Sequence, residues 1–337
     1  MRRPKVLVTR RIPQEALRLL SSHFEVDYRG RDTAIPRPEF LRKIKDKSGL
    51  LCVLTERVDE ALLAAAPALK AVSTYSVGFD HIDVPACTRR GVLVANTPGV
   101  LTETTADFTW TLLLAAARRV VEGDKFMRAG RYKGWDPLMM LGSDVHGKTL
   151  GIVGFGRIGQ AVARRAKGFS MNVLYYDVQR VFPEIEKDLG ARFVELKDLL
   201  RQADYVSLHA ALDAATRHLI DRKALALMKP SAYLINAARG PIVDEAALVA
   251  ALKKGRLRGA ALDVYEREPK MAAGLAKLPN VVLAPHLASA SLETRSKMGM
   301  MAAQALVDAL ALGRPPKHPV NPEISRSSSV SLKTSEV

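Results

Sequence analysis

The sequence predicts an α/β protein with two doubly wound parallel-sheet domains. Three observations predict this fold class: short runs rich in Val and Leu alternate with segments that carry apolar residues at helical spacing, the alternation covers most of the chain, and it restarts at a glycine-rich segment near residue 154. A chain of 337 residues, of which 48% are apolar and 26% charged, is long enough and apolar enough to form two cores.

The first hundred residues are predicted to form one α/β domain. Its candidate strands are residues 5–10 (KVLVTR), 50–55 (LLCVLT), 69–75 (LKAVSTY) and 91–97 (GVLVANT). Its candidate helices are residues 13–24, 37–47 and 59–67. Because strands alternate with helices, we expect the strands to lie parallel in a sheet that is covered on both faces.

A second, longer doubly wound domain follows a long helix at about 104–127 and a loop with Gly and Trp at 129–144. Its candidate strands are residues 149–154, 172–177, 191–195, 205–210, 232–238, 259–265 and 280–286. Its candidate helices include residues 196–203, 222–228 and 244–255. The last helix, 292–312, has no strand after it, and we expect it to return to the first domain.

These elements predict that the second domain is inserted into a discontinuous first domain. The predicted boundaries are 1–99 with 289–321 for the outer domain and 100–288 for the inserted domain. Ligands are expected where the carboxyl ends of the two sheets face each other. The Ser-rich segment 322–337 has almost no core-forming residues and is predicted to be disordered.

The composition argues against several classes of protein. The net charge of +16 is spread along amphipathic helices and only 6% of residues are aromatic, so we expect a solvated basic surface rather than nucleic-acid binding, with attraction of an anionic substrate and cofactor as the alternative use of the charge. The two cysteines, Cys52 and Cys87, lie in apolar or small-residue contexts, and no disulfide is predicted. Without a disulfide or a signal peptide, we expect a reduced, cytoplasmic protein. No membrane span and no metal site are predicted.

The glycine-rich segment predicts a dinucleotide site of the Rossmann type. Gly154, Gly156 and Gly159 form the pattern G-x-G-x-x-G, which follows a candidate strand and opens a candidate helix. The first glycine permits a tight turn, the second lets the backbone approach a pyrophosphate, and the third lets helix and strand pack closely. The pyrophosphate is then expected at the start of the helix, where Arg157 and Ile158 lie.

Residues after the next strand bear on the choice of cofactor. Asp177 can accept hydrogen bonds from the ribose hydroxyls and would repel a 2′-phosphate, which favours NAD(H). Arg180 would instead pair with that phosphate. We therefore expect NAD(H), with NADP(H) as the alternative, and expect Val178 to contact the same part of the cofactor.

Candidate catalytic side chains follow three later strands. Arg239 comes after one strand, Asp263, Glu266 and Glu268 after another, and His286 after the last. An arginine offers a charged fork for a carboxylate and an adjacent carbonyl oxygen, and a histidine can exchange a proton near neutral pH. A carboxylate beside the imidazole stabilises its protonated form, and the spacing leaves open which of the three carboxylates does so.

Taken together, these segments resemble the D-2-hydroxyacid dehydrogenase family over residues 5–321. The similarity is carried by SVGFDHIDVPACTRRGVLVANTPGVLTETTAD, GKTLGIVGFGRIGQA, LINAARGPIVDEAALVAAL, ALDVYEREP and NVVLAPHLASAS. KVLVTRRIP, LTERVD, YSVGFDHID and GRIGQAVARRAKGF are most similar to the glyoxylate/hydroxypyruvate reductase branch. The resemblance implies a Rossmann NAD-binding domain inserted into a discontinuous flavodoxin-like substrate domain.

The resemblance also implies roles for individual residues. The catalytic set of the family corresponds to Arg239, Glu268 and His286, because the family's Glu stands in a Glu-Pro pair. The substrate carboxylate is expected on the backbone N–H groups of Val77 and Gly78. The substrate contacts that the resemblance implies within one chain are Leu54, Val77, Gly78, Arg239 and His286.

Further contacts are implied for the nicotinamide half of the cofactor. They fall on Thr105, Ala237, Ala238, Asp263 and Ala288, the last standing where many relatives have Gly. In this branch a Trp-rich loop reaches the active site of the partner subunit. A homodimer is therefore expected, with Trp135 or Met139 contacting the partner's substrate; the alternative for Trp135 is packing in the dimer interface alone.

The function that the resemblance implies is NAD(P)H-dependent reduction of glyoxylate to glycolate and of hydroxypyruvate to D-glycerate. One alternative is a dehydrogenase for another D-2-hydroxyacid, including 3-phosphoglycerate. A regulated phosphoglycerate dehydrogenase is disfavoured, because no regulatory domain is expected after residue 321. The other alternative is an NAD(H)-sensing protein similar to the corepressors of the family.

Overall fold

The computed structural model of the chain describes residues 3–324. Two compact units are present: one contains the residues up to Leu101 and those from Ser291 onward, and the other contains Thr102–Ala290. The predicted boundaries, after residues 99 and 288, lie two residues before these. Most of the predicted disordered segment, residues 325–337, lies outside the described residues; within the described part, the Ile324 N–H donates to the Asn321 carbonyl at 3.2 Å.

The described residues form twelve strands and twelve α-helices. The strands are β1 Lys5–Val8, β2 Glu25–Tyr28, β3 Gly49–Cys52, β4 Ala71–Thr74, β5 Leu93–Ala95, β6 Thr149–Val153, β7 Asn172–Tyr176, β8 Ala191–Phe193, β9 Tyr205–Leu208, β10 Tyr233–Asn236, β11 Gly259–Leu262 and β12 Val281–Leu283. The helices are α1 Gln14–His23, α2 Arg37–Lys43, α3 Glu60–Ala64, α4 Val84–Arg89, α5 Thr102–Ala117, α6 Val120–Arg128, α7 Arg157–Ala166, α8 Pro183–Leu189, α9 Leu196–Gln202, α10 Arg222–Leu227, α11 Glu245–Lys253 and α12 Leu292–Leu306. Among the helices of residues 3–324, none is both long and apolar enough to cross a bilayer.

The first unit is a five-stranded parallel sheet in the order β2-β1-β3-β4-β5, which is the flavodoxin-like order. Helix α12 packs against α1, so the last part of the chain does return to this unit. Strand β2 and helix α4 were not predicted. The strand EVDY lies at the edge of the sheet and none of its residues is fully buried, so it lacks the apolar run that marks the central strands.

The second unit is a seven-stranded parallel sheet in the order β12-β11-β10-β9-β6-β7-β8. This is the Rossmann order with one strand added beyond β11. Strand β6 pairs with both β7 and β9, so the strand order reverses at β6. Parallel sheets of this kind bind ligands at the carboxyl ends of the strands beside such a reversal, and the glycine-rich segment begins there.

The prediction of one long helix at 104–127 is wrong. The chain forms α5 and α6 instead, separated at Arg119, which has a left-handed φ of 56°. The reason is a contact that local sequence does not encode: the returning loop brings the Ser143 N–H to the Ala117 carbonyl at 2.8 Å, which satisfies an acceptor at the end of α5. A helix continuing through this point would use that carbonyl itself.

Helix α5 fixes the position of α7, the helix that follows the glycine-rich segment. The Trp110 indole N–H donates to the Val162 carbonyl at 3.1 Å, and its ring stacks on Phe169 at a centroid distance of 4.7 Å. Arg165 pairs with Glu103 and Asp107 of α5 at 2.8 and 2.7 Å. These contacts hold the middle and the C-terminal end of α7 against α5.

Candidate active site

The glycine loop connects β6 to α7. Gly154 has a φ of 92°, and a Cβ there would collide with the backbone of Ala210, so only glycine fits. A Cβ on Gly159 would collide with the Gly154 carbonyl oxygen, which lets helix and loop approach closely. Gly156 precedes the helix and has open space where a Cβ would point, so its backbone can be approached from outside. These features fit a dinucleotide pyrophosphate at the start of α7.

A neutral histidine lies behind this loop. His209 follows β9, and its Nε2 lies 2.8 Å from the Ser207 hydroxyl. Burial lowers the pKa of His209 to about 3, so the side chain carries no charge at neutral pH. The loop therefore offers backbone N–H groups, and not this imidazole, to an anion.

Asp177 follows β7 and is held against the glycine loop. One carboxylate oxygen accepts the Phe155 N–H at 2.6 Å, and the other accepts the Val178 N–H at 2.7 Å. The carboxylate thus lies at the loop where an adenosine ribose is expected, and Val178 beside it is largely exposed. The other predicted determinant, Arg180, is bound to Glu186 of α8 by two contacts of 2.8 Å.

His286 and Glu268 form a hydrogen-bonded pair after the neighbouring strands β12 and β11. His286 Nδ1 lies 3.1 Å from Glu268 Oε2, and the two side chains are 29% and 39% exposed. Because Nδ1 faces a carboxylate, it carries a proton, and Nε2 is the ring nitrogen that can exchange a proton with a ligand.

Glu268 stays ionised in this arrangement. Burial acts to raise the pKa of Glu268, but the hydrogen bond and the charge of His286, the Tyr265 N–H at 3.1 Å and the charge of Arg239 outweigh it and lower the pKa. A carboxylate with a lowered pKa remains negative at neutral pH, where it can stabilise an imidazolium.

The turn that carries His286 is built around Asp263. This carboxylate is fully buried and accepts the Leu287 and Ala288 N–H groups at 2.7 and 2.8 Å. The His286 N–H donates to the Asp263 carbonyl at 2.8 Å, and His286 itself has a left-handed φ of 57°. Asp263, predicted from the resemblance to meet the cofactor carboxamide, therefore also anchors the turn that aims the imidazole.

Glu266 is bound away from this pair. Its Oε1 lies 3.0 Å from His218 Nε2, and its Oε2 accepts the Glu245 N–H at 3.4 Å. Glu245 is buried and in turn accepts the N–H groups of Glu266 and Ala272 at 2.8 and 2.7 Å. Of the three carboxylates that the spacing left open, the structure brings Glu268 to the imidazole.

Arg239 lies on a short loop after β10. The buried Asn236 side chain ties this loop at both ends, because its amide N–H donates to the Arg239 carbonyl at 2.9 Å and its oxygen accepts the Ala238 N–H at 3.0 Å. Arg239 Nη1 donates to the Ala238 carbonyl at 2.9 Å. Since β10, β11 and β12 are neighbours, Arg239, Glu268 and His286 follow three adjacent strands of one sheet.

In the other unit, a turn after β4 holds Val77 and Gly78. The Asn96 amide donates to the Val77 carbonyl at 2.8 Å, and the Ser76 hydroxyl donates to the Gly78 carbonyl at 2.7 Å. Both carbonyls are thereby engaged. The Asn96 bond holds the peptide that carries the Gly78 N–H, and the peptide that carries the Val77 N–H is held by a backbone bond, from the Thr97 N–H to the Ser76 carbonyl at 2.9 Å.

The remaining predicted residues lie on elements of both units. Thr105 is buried in the first turn of α5, Ala237 and Ala288 are buried, and Ala238 is half-buried. Leu54 is half-buried in a loop tied by Glu56, which accepts the Val53 N–H at 2.8 Å. Trp135 is 80% exposed on the loop after α6, and Met139 further along it is half-buried. Within residues 3–324 no group of three His, Cys, Asp or Glu side chains is placed to hold a metal.

Sequence reasoning did not single out the residues that position the site. Asn236, Glu245, Ser76, Asn96 and Glu186 all act through hydrogen bonds to the backbone or to another side chain. A polar residue at the end of an apolar strand, as in LINAARG, was the one signal available for Asn236. The partners of Asn96 and Glu245 lie far from them along the chain, and the contacts of Ser76 and Glu186 depend on how the chain turns locally.

The fold and the site define a class of protein. An oxidoreductase that uses a nicotinamide cofactor needs a dinucleotide-binding sheet and a group that exchanges a proton. This chain has a Rossmann sheet with a glycine loop, and an imidazole–carboxylate pair and an arginine follow neighbouring strands of that sheet. A family model described as "D-isomer specific 2-hydroxyacid dehydrogenase, NAD binding domain" matches residues 110–288. The chain belongs to this family of NAD(P)-dependent dehydrogenases.

Known proteins are similar over nearly the whole chain. Glyoxylate reductase of Thermococcus kodakarensis is 51% identical over 326 residues, which cover 96% of this chain and 97% of that protein. The crystal structure of the TT0316 protein of Thermus thermophilus is 45% identical, with a TM-score of 0.87 and coverage of 94% and 99%. An NADPH-dependent glyoxylate/hydroxypyruvate reductase from Sinorhizobium meliloti, in complex with NADP and malonate, is 34% identical, with a TM-score of 0.83 and coverage of 94% and 97%.

Proposed function

We propose that the protein reduces glyoxylate to glycolate and hydroxypyruvate to D-glycerate. The observation that carries this proposal is the Glu268–His286 pair, which lies after neighbouring strands of the nucleotide-binding sheet and leaves Nε2 to exchange a proton. The names of the relatives support the substrate class, since the Thermococcus protein is a glyoxylate reductase and the Sinorhizobium protein a glyoxylate/hydroxypyruvate reductase.

In this proposal the residues act on the carboxylate and on the carbonyl group of the ketoacid. The substrate carboxylate is bound by the Val77 and Gly78 N–H groups and by the Arg239 guanidinium, which also polarises the carbonyl. His286 Nε2 donates a proton to the carbonyl oxygen, and Glu268 stabilises the imidazolium beforehand. A bound NADH supplies the hydride. In the reverse direction His286 accepts the hydroxyl proton.

We propose NADH as the preferred cofactor and NADPH as a poorer one. The Asp177 carboxylate is fixed against the glycine loop by the Phe155 and Val178 N–H groups. A ribose 2′-hydroxyl can donate to this carboxylate, whereas a 2′-phosphate would be repelled by it. The cofactor is proposed to contact Thr105, Gly154, Gly156, Arg157, Ile158, Gly159, Asp177, Val178, Ala237, Ala238, Asp263 and Ala288.

The test is steady-state oxidation of NADH and of NADPH against a panel of 2-ketoacids. We expect glyoxylate and hydroxypyruvate to give the highest kcat/KM, and branched, aromatic or phosphorylated ketoacids to be poorer. His286→Ala should lower kcat by about 10²–10⁴-fold, the usual range for removing a general acid, while the dissociation constant of NADH stays unchanged. His146→Ala, which alters an exposed loop histidine, is the matched control.

Two outcomes would contradict the proposal in different ways. If NADH binds but no ketoacid is turned over, the protein is a sensor of the cofactor rather than an enzyme. If turnover is normal in His286→Ala, the proton comes from another group.

We also propose a homodimer and a cytoplasmic location. One segment, residues 120–141, exposes an unusual number of large apolar side chains: Val120, Val121, Met127, Tyr132, Trp135, Leu138 and Leu141. A cavity of about 780 Å³ beside it is lined by residues of α5, α6 and the β12 edge. Sedimentation velocity tests the dimer, which the double variant Trp135→Ser with Leu138→Ser should weaken.

The proposed cytoplasmic location rests on the cysteines. Cys52 and Cys87 are both free and buried, which is consistent with a reducing compartment.

A further inference from the structure

The side chains of Tyr175, Arg180 and Glu186, here called the Glu186 clamp, lie beside the proposed adenosine site. Arg180 Nε and Nη2 donate to Glu186 Oε1 and Oε2, each at 2.8 Å. The Tyr175 hydroxyl donates to the same Oε1 at 2.6 Å and accepts the Val181 N–H at 3.2 Å. Glu186 is thus held by three donors on both of its oxygens.

The clamp engages the part of Arg180 that a phosphate would use. Nε and Nη2 form the fork that matches the spacing of two oxygens in a carboxylate or a phosphate. Arg180 is 61% exposed whereas Glu186 is only 12% exposed. Withdrawing Arg180 toward a ligand would leave a largely buried carboxylate without its cation, which is costly.

The charges around the clamp act in the same direction. Asp177, three residues before Arg180, and Glu186, which binds Arg180, contribute two carboxylates, and Arg180 supplies one positive charge that is already paired. A 2′-phosphate would add further negative charge to this group of side chains, whereas a 2′-hydroxyl would add none.

We propose that Glu186 is a specificity-determining residue for the cofactor: by binding Arg180 it withholds the guanidinium from a 2′-phosphate and so favours NADH over NADPH. This inference rests on the proposed preference for NADH and extends it to a side chain that does not itself contact the cofactor. The carboxylate of Asp177 then repels the phosphate while Glu186 keeps the compensating cation away.

The experiment is a fluorescence titration of the full chain with NADH and with NADPH, which needs no substrate. Glu186→Gln keeps the size of the side chain and an acceptor for Tyr175 but removes the charge that holds Arg180. It should tighten NADPH binding about tenfold, the size expected for one hydrogen-bonded contact to a charged group, and change NADH binding less than about twofold. Glu184→Gln removes the same charge from an exposed position on the same helix and is the matched control.

The double variant Arg180→Ala with Glu186→Gln separates the mechanism from a general charge effect. The proposal requires the gain for NADPH to disappear in the double variant. It is overturned if Glu186→Gln leaves the ratio of the two dissociation constants unchanged, if Glu184→Gln produces an equal gain, or if the gain survives without Arg180. Glu186→Asp, which keeps the charge but shortens the side chain, gives a second measure and should show a smaller gain.

The outcomes also distinguish this inference from the proposed function. If the unaltered protein binds NADPH as tightly as NADH, the proposed preference fails; a further Arg180-dependent gain in Glu186→Gln would still support the role of Glu186. Failure to turn over any ketoacid would contradict the proposed reaction without affecting the titrations.

Discussion

Replacing Asp263 with Asn tests how the site is held together. The Asp263 carboxylate is fully buried, and its two oxygens accept the Leu287 and Ala288 N–H groups at 2.7 and 2.8 Å. Asparagine has the same shape, but one of its two terminal groups is a donor. Whichever way the amide is turned, an NH₂ group faces a backbone N–H, and one of these hydrogen bonds is lost.

The size of the effect follows from two costs and one opposing gain. Losing a hydrogen bond to a charged acceptor costs about 1.5–3 kcal/mol, and leaving buried donors facing each other adds about 1–3 kcal/mol. Burial raises the pKa of Asp263 although the Leu287 and Ala288 N–H groups act to lower it, and replacing the carboxyl group with a neutral amide removes this burial cost and offsets part of the loss. We expect a net loss of about 2 kcal/mol in the free energy of unfolding.

The assay is urea unfolding followed by circular dichroism, together with kcat for glyoxylate. Because the same two bonds hold the turn with His286 at its left-handed φ, kcat should fall at least about tenfold, which corresponds to a change of only about 1.4 kcal/mol. Asp213→Asn is the matched control. Asp213 also accepts two backbone N–H groups, from Ala215 and Thr216 at 2.8 Å each, but it is exposed.

Equal stability and equal kcat in Asp263→Asn and Asp213→Asn would refute the role assigned to the two Asp263 hydrogen bonds. That result would mean that the turn at His286 holds its conformation without the two bonds. A loss of stability with unchanged kcat would limit Asp263 to a structural role.

Three further predictions concern other parts of the second unit. Gly159→Ala should abolish NADH binding or destabilise the protein by about 3 kcal/mol, because the added methyl meets the backbone of the loop; Gly168→Ala, which has open space, should be within about 0.5 kcal/mol of the unaltered protein. Asn236→Ala should raise KM for glyoxylate about tenfold or more, since the loop with Arg239 loses two hydrogen bonds; an unchanged KM would show that the loop is held by other contacts. The pKa of Glu186 is lowered from 4.5 to about 2, first by its hydrogen bond from Arg180, so its stabilising contribution is complete above pH 4.5 and is lost as the pH falls toward 2. The difference in unfolding free energy between the unaltered protein and Glu186→Gln should therefore shrink between about pH 5 and pH 3, and a constant difference would contradict this assignment.

Much of the fold could be read from local sequence. Strands β6 and β7 begin at the predicted residues, 149 and 172. They were recognisable because a strand buried in a parallel sheet has a continuous apolar run, which few other segments show. The glycine motif was also recognisable in the sequence. Gly154 and Gly159 lie where any side chain would collide with the backbone, so the spacing of the glycines reflects the geometry of the loop. Such requirements depend on a few consecutive residues.

Other features were not legible because their partners are distant in the chain. The break between α5 and α6 depends on Ser143 reaching Ala117, and a helical pattern of apolar residues runs straight through it. Strand β2 owes its place to pairing with β1 rather than to its own composition.

By itself the sequence determined most of the buried strands, where the glycine loop lies and which three strand ends carry reactive side chains. Spacing left the carboxylate open and the resemblance favoured Glu268; the tertiary structure brings Glu268 to His286 and Glu266 to His218, and it alone decided that Arg180 is already paired with Glu186. The physical reason is that an ionisable side chain finds its partner through space, at about 3 Å, across elements whose separation in the chain carries no information about their distance in the fold.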